Sequence, residues 1–130
     1  MKREKWIVWK PIEEIPETLY LEELKYDSNG LTLSLTEKDD APILIIHFDE
    51  DLSHRIADEG NLLRTVSKAE RSQEALRWTL FKVENSLYLQ WFHEESSYKY
   101  ESDNLVHYLI ATPNEIVDVL NLNSPTLKWS

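Results

Sequence analysis

The stretch from Leu19 to Thr36 constrains the fold more than any other part of the chain. Leu31, Leu33 and Leu35 alternate with Thr32, Ser34 and Thr36. That is the pattern of a strand with one buried and one wet face. Asp27-Ser28-Asn29-Gly30 stands just before it. Asn-Gly supplies the positive φ angles of a type I′ turn, so Leu19 to Asp27 is expected to fold back as the hairpin partner. Leu24 and Tyr26 share one face of that partner. Glu22 and Glu23 break its alternation and predict a bulge. The first half of the chain is thereby committed to antiparallel β structure.

The other elements follow from similar local signals. Trp6 to Lys10 reads as a short aromatic strand, and Pro11 and Pro16 bracket the connection after it. Glu37 to Ala41 is a polar turn. Pro42 then opens Ile43 to Phe48, which is apolar on both faces and predicts a central strand. Leu52 to Asp58 reads as a strand closed by Gly60. Asn61 to Ala75 is polar and fits a long loop or a short helix. Leu76 to Val83 predicts a strand, with Leu76, Trp78 and Leu80 on one face. Asn85 or Ser86 can cap a helix whose Leu87, Tyr88, Trp91, Phe92 and Glu95 share a face. Val106 to Ala111 is a strand. Thr112-Pro113-Asn114-Glu115 has a capping-box pattern. The β-branched residues after it favour a strand over 113–121, with a helix as the alternative. The expected fold class is α+β: an antiparallel sheet of about six strands with one main helix at about residues 85–96. With two Gly, no repeat and no linker, the 130 residues read as a single domain, 1–130.

Composition limits the function classes. Apolar residues make up 42%, with five Trp, six Tyr and three Phe, which is too many for a disordered chain. There is no Cys, which excludes disulfides, thiolate chemistry and Cys-ligated zinc. No apolar run resembles a signal-peptide core, and none approaches the roughly 20 residues that span a bilayer. The expectation is a mature cytoplasmic protein. Asp and Glu number 24 against 14 Lys and Arg, a net charge of −10. Such an excess repels nucleic acid and anionic membrane surfaces, and it speeds encounter with a basic protein partner.

Four clusters could carry chemistry. His93-Glu94-Glu95 begins like a zincin helix, but the second His would fall at Ser97, so it reads as an acidic helix end. His47, Asp49 and Asp51 point to one side of a strand end and could hold a hard cation, but no fourth ligand is evident. They read as a charged terminus, and no metal is expected. Ser53, His54, Arg55, Asp58 and Glu59 are the densest set. Adjacent Ser53 and His54 face opposite ways, so a nucleophile–base pair is not expected there. His54 with Asp58 could be an acid–base pair, and Arg55 with Asp58 or Glu59 an ion pair. His107, between Val106 and Tyr108, reads as a hydrogen-bonded packing residue. Trp129 is either an exposed anchor or a residue that docks the tail. Gly30 and Gly60 stand alone, so no phosphate loop, nucleophile elbow or dinucleotide fingerprint exists. No catalytic residue and no cofactor are expected.

The C-terminal half resembles a group of small bacterial proteins of the immunity type. The residues that carry the likeness are Asn85-Ser86-Leu87-Tyr88-Leu89-Gln90-Trp91-Phe92-His93-Glu94-Glu95-Ser96, His107-Tyr108-Leu109-Ile110-Ala111-Thr112 and Glu115-Ile116-Val117-Asp118-Val119-Leu120. The resemblance spans about residues 42–121. It implies a bacterial source and a role in neutralising a toxin by binding it. It implies no catalytic residue.

Three functions are therefore carried forward. The first is an acidic inhibitor of a basic protein such as a toxin, which would use Asp39, Asp40, Asp49, Glu50, Asp51, Asp58 and Glu59 at strand ends. The second is a ligand-binding or enzymatic domain using His54, Arg55 and Asp58 in a pocket with Trp91 and His107. The third is an oligomerising structural module.

Overall fold

The computed structural model describes residues 2–130. Its strands are β1 (Lys5–Val8), β2 (Tyr20–Asp27), β3 (Gly30–Thr36), β4 (Ile43–Phe48), β5 (Asp51–Asp58), β6 (Glu70–Arg71), β7 (Leu80–Glu84), β8 (Val106–Ala111), β9 (Glu115–Asn121) and β10 (Thr126–Trp129). The helices are α1 (Leu63–Lys68) and α2 (Leu87–Glu95), with 3₁₀ turns at Glu59–Asn61 and Glu74–Arg77. The strands form two sheets, in the orders β5-β9-β8-β7-β1-β6 and β10-β4-β3-β2. Neighbours are antiparallel except β1 and β6, which run parallel.

The architecture is α+β with strands dominant. The expected single sheet of about six strands is corrected to a six-stranded and a four-stranded sheet. The handover occurs at Asp49-Glu50: β4 pairs with β3 and β10, whereas β5 pairs with β9. Alternation shows that a strand has a buried face. It does not show which strand lies beside it, because that pairing joins residues far apart in sequence.

The two sheets share one core. Leu31, Leu33, Leu35, Leu44, Ile46 and Phe48 from the small sheet meet Leu80, Tyr108, Ile110, Val117 and Val119 from the large one. The central Leu alternation predicted for β3 is met: all three Leu are fully buried. On the other face of the large sheet, α1 and the second 3₁₀ turn cover Trp6, Phe81, Leu109 and Ile116. There α2 covers Leu120 with Tyr88. No helix among the described residues is long and apolar enough to cross a membrane.

Local chemistry accounts for the remaining elements. The bulge predicted at Glu22-Glu23 is present, as a register shift between Leu21 and Glu23. The hairpin turn differs from a type I′ turn, since neither Ser28 nor Asn29 has a positive φ and Gly30 takes +109° instead. Asp27 Oδ1 accepts the Asn29 N–H at 2.8 Å, and this side-chain turn moves the left-handed residue to the start of β3.

Leu76 is not in a strand. It lies in a 3₁₀ turn and is exposed, because that turn buries Ala75 instead and β7 starts only at Leu80. The strand preferred over 113–121 forms as β9. Its capping-box contacts are made within a hairpin turn: Thr112 Oγ1 accepts the Asn114 and Glu115 N–H groups and donates to Glu115 Oε1. Backbone pairing of β10 with β4 holds the tail, with Trp129 opposite Leu44 of β4, and the Trp129 side chain is 37% exposed.

Candidate functional site

Three strands bring charged groups together under α2. Register places Arg55 beside Asp118 and Leu109 beside Asp118, with His107 opposite Leu120 on the same outer face of the large sheet. Asp118 Oδ2 accepts Arg55 Nε–H at 2.8 Å, and its Oδ1 accepts His107 Nε2–H at 2.7 Å. His107 Nδ1 and the Ser86 hydroxyl meet at 2.6 Å. Ser86 Oγ in turn caps α2 by accepting the Leu89 N–H at 2.9 Å.

Tyr88, fixed by that cap, packs on both ends of the network. Its ring lies 4.0 Å below the Arg55 guanidinium carbon and 5.4 Å from the His107 ring. Its hydroxyl meets Ser53 Oγ at 2.5 Å. Trp91, one turn along α2, stacks on Tyr88 at 5.8 Å and 15°.

Electrostatics hold this arrangement in one state. Burial by itself would raise the Asp118 pKa, but the hydrogen bond and charge of His107, then those of Arg55, outweigh it and hold the carboxyl below the usual range. Asp118 therefore stays ionised and keeps both donors. Burial raises the Tyr88 pKa, against the Ser53 hydrogen bond and the Arg55 charge, so the phenol stays neutral. His107 and the Asp118 side chain are 2% and 4% exposed, whereas the Arg55 side chain is 53% exposed. The network is a sealed frame with one cationic group at the surface.

Ser86, His107 and Asp118 form a Ser–His–carboxylate relay in outline. Its surroundings do not suit acyl transfer. The Leu87 N–H is taken by Glu4 Oε2 at 2.8 Å and the Leu89 N–H by Ser86 itself, so two donors that an oxyanion would need are occupied. Ser86 borders an open depression of about 430 Å³ beside His93 and Tyr98, but its Oγ is committed to His107 and Leu89. What the geometry does well is to fix Arg55, Tyr88 and Trp91 in place.

The residues singled out from sequence fall in different places. Arg55, His107 and Trp91 are brought together. His54 is not with them: it lies on the opposite face of β5, where Nδ1 meets Asp51 at 2.7 Å and its ring packs on Tyr26. The possible His54–Asp58 and Arg55–Asp58 or Arg55–Glu59 pairs do not form. Asp58 accepts the Gly60 N–H instead and caps the first 3₁₀ turn. His54, Arg55, Asp58 and His107 line none of the five cavities of 250–820 Å³ found on the described residues.

The acidic residues are split as well. Asp39 and Asp40 lie in the β3–β4 turn, while Asp49 and Glu50 lie at the opposite end of β4. Asp51 is committed to His54, with its side chain 4% exposed. Asp58 and Glu59 end β5. The three-ligand reading of His47, Asp49 and Asp51 separates in the same way, since His47 Nδ1 meets Thr32.

Asp118 was the residue missed. The available signal was a lone carboxylate inside Ile116-Val117-Asp118-Val119-Leu120, since such a group in an apolar strand must find partners. Comparison with known proteins adds no relative: no protein-family model, no curated protein and no solved structure matches this chain.

Proposed function

We propose that this chain is a protein-binding domain of the immunity type, which captures a basic protein such as a toxin along the β5 edge. One observation carries the reading. Among the described residues β5 pairs with β9 on one side and with no strand on the other, and its middle exposes Arg55 and Ile56 between acidic ends. An unpaired strand edge offers backbone hydrogen bonds to an incoming strand. Ile56 is 48% exposed, Tyr88 lies under Arg55, and Trp91 stacks on the Tyr88 ring. Arg, Tyr and Trp are the side chains most often found to dominate binding energy. Asp49 and Glu50 at one end, with Asp58 and Glu59 at the other, would steer a basic partner and speed its encounter.

The other long edge is less suited. β2 is interrupted by its bulge and carries Glu22, Glu23 and Lys25, which are devices that discourage strand addition. The test is capture from the source cell with this protein as bait, over a salt series. A basic protein retained by the wild type, lost with Ile56→Lys and with Arg55→Ala, and kept with a Glu22→Gln/Glu23→Gln control supports the reading. Equal retention by all of these baits, or no retained basic protein, overturns it.

A further inference from the structure

The chain carries a net charge of −10, yet Lys2, Arg3, Arg64 and Lys68 line one cavity of about 540 Å³. Lys2 and Arg3 reach it from the segment before β1, and Arg64 and Lys68 from α1. All four are exposed, so a ligand can reach them. None makes an ion pair among the described residues. Like charges gathered without counterions repel one another, although the chain has 24 carboxylates that could have paired with them. Glu4 is the one carboxylate among the described residues that line the cavity, and its Oε2 accepts the Leu87 N–H at 2.8 Å. Thr65 adds a hydroxyl to the lining. Leu87, 54% exposed at the start of α2, supplies an apolar wall.

The walls are tied to one another. Arg3 Nε–H and Nη2–H donate to the Lys68 carbonyl at 3.1 and 2.9 Å, which joins the segment before β1 to the end of α1. Asn85 Nδ2–H donates to the Arg3 carbonyl at 3.1 Å, and the Glu70 N–H to the Glu4 carbonyl at 2.8 Å. Arg3 is thereby held in place with its Nη1 donors left over.

We infer that this cavity binds a small soluble phosphate monoester with an apolar body. The surplus of cations over the one carboxylate suits a dianion better than a monocarboxylate, and a phosphate monoester carries a charge of about −1.5 to −2 at neutral pH. Guanidinium forks match pairs of phosphate oxygens, and the Lys ammonium groups add point charges. Leu87 and the aliphatic stems of the Lys and Arg side chains take the apolar body. The volume falls within the roughly 300–1,000 Å³ of small-molecule sites. A lipid headgroup presents the same phosphate, but the acidic remainder of the chain repels an anionic membrane. The cavity lies apart from the β5 edge, and the inference stands whether or not a protein binds there.

The probes are phenyl phosphate, inorganic phosphate and benzoate, read by titration calorimetry and by amide shifts in a ¹⁵N-labelled sample. Saturable binding of phenyl phosphate is expected, with the largest shifts in α1 and at Leu87. Inorganic phosphate, which lacks the apolar body, and benzoate, which has a single charge, should each bind about tenfold more weakly. Arg64→Gln and Lys68→Gln should each lose about tenfold in affinity for phenyl phosphate, whereas Lys38→Gln, which removes the same charge in the β3–β4 turn, should lose none. Thermal melts confirm that each variant is folded. Any of four results would overturn the inference: no saturable binding of phenyl phosphate, shifts centred elsewhere, equal affinity for benzoate or inorganic phosphate, or an equal loss in Lys38→Gln. Co-sedimentation with phosphatidate vesicles that Arg64→Gln abolishes would assign the site to a lipid headgroup and overturn the soluble ligand.

Discussion

The β8–β9 pair shows two opposite uses of one alternating pattern. On its inner face, Tyr108, Ile110, Val117 and Val119 meet the Leu-rich sheet with no charged group among them. On its outer face, the same strands present His107 and Asp118 between Leu109, Ile116 and Leu120. The inner face is non-directional and tolerates small adjustments. The outer face is directional: Asp118 must receive two donors at once, and replacing a buried ion pair with apolar residues is often no less stable. Stability alone therefore does not explain why charge is buried here. Holding Arg55 and Tyr88 in one geometry does.

Four substitutions separate these two faces, in descending order of expected effect. Phe48→Ala removes a fully buried ring that packs on Tyr108, and should cost about 3–5 kcal/mol. Burial raises the pKa of its partner Tyr108, so that phenol stays neutral from acid to neutral pH and urea unfolding should give the same cost across that range.

Asp118→Asn should cost about 2–3 kcal/mol at neutral pH through its charged hydrogen bonds. The folded-state pKa is held below the unfolded value of about 3.8, so the stabilisation is present above that pH and is lost as pH falls through the folded value. The gap between wild type and variant should therefore narrow as pH drops below about 3.8. A gap that stays constant with pH would show that the carboxylate contributes shape and not charge.

Ser86→Ala removes both the α2 cap and the partner of His107, with an expected cost of about 1–2 kcal/mol. It should also lower amide-exchange protection in the first turn of α2. Unchanged protection there would mean that Tyr88 holds the helix start without the cap.

Arg55→Ala should cost the least in stability, under about 1 kcal/mol, because its side chain is half exposed. If the β5 edge is the docking surface, this same variant should lose partner capture while its melting temperature hardly moves. A large stability loss would place Arg55 in the frame and not at the interface.

Features set by neighbouring residues were legible in the chain. The β2–β3 hairpin, its bulge at Glu22-Glu23, the Leu alternation of β3 and the Ser86 cap each depend on residues within a few positions of one another. Even there, one side chain altered the detail, as Asp27 did when it moved the positive φ to Gly30. The site was legible only in fragments. Arg55, His107 and Trp91 were singled out, but the carboxylate that joins two of them was not, and His54, grouped with Arg55 in a possible pocket, lies on the other face of β5.

The sequence by itself determined a mainly β chain, the strands that hide a face, and a strongly acidic net charge. Tertiary structure alone decided that β4 and β5 part company into different sheets, that β5 ends as an open edge, and that Asp118 meets Arg55 and His107. The physical reason is range. Turn, bulge and cap energies act between near neighbours, whereas strand order and ion pairing across 63 residues arise only when the whole apolar core chooses which faces to bury together.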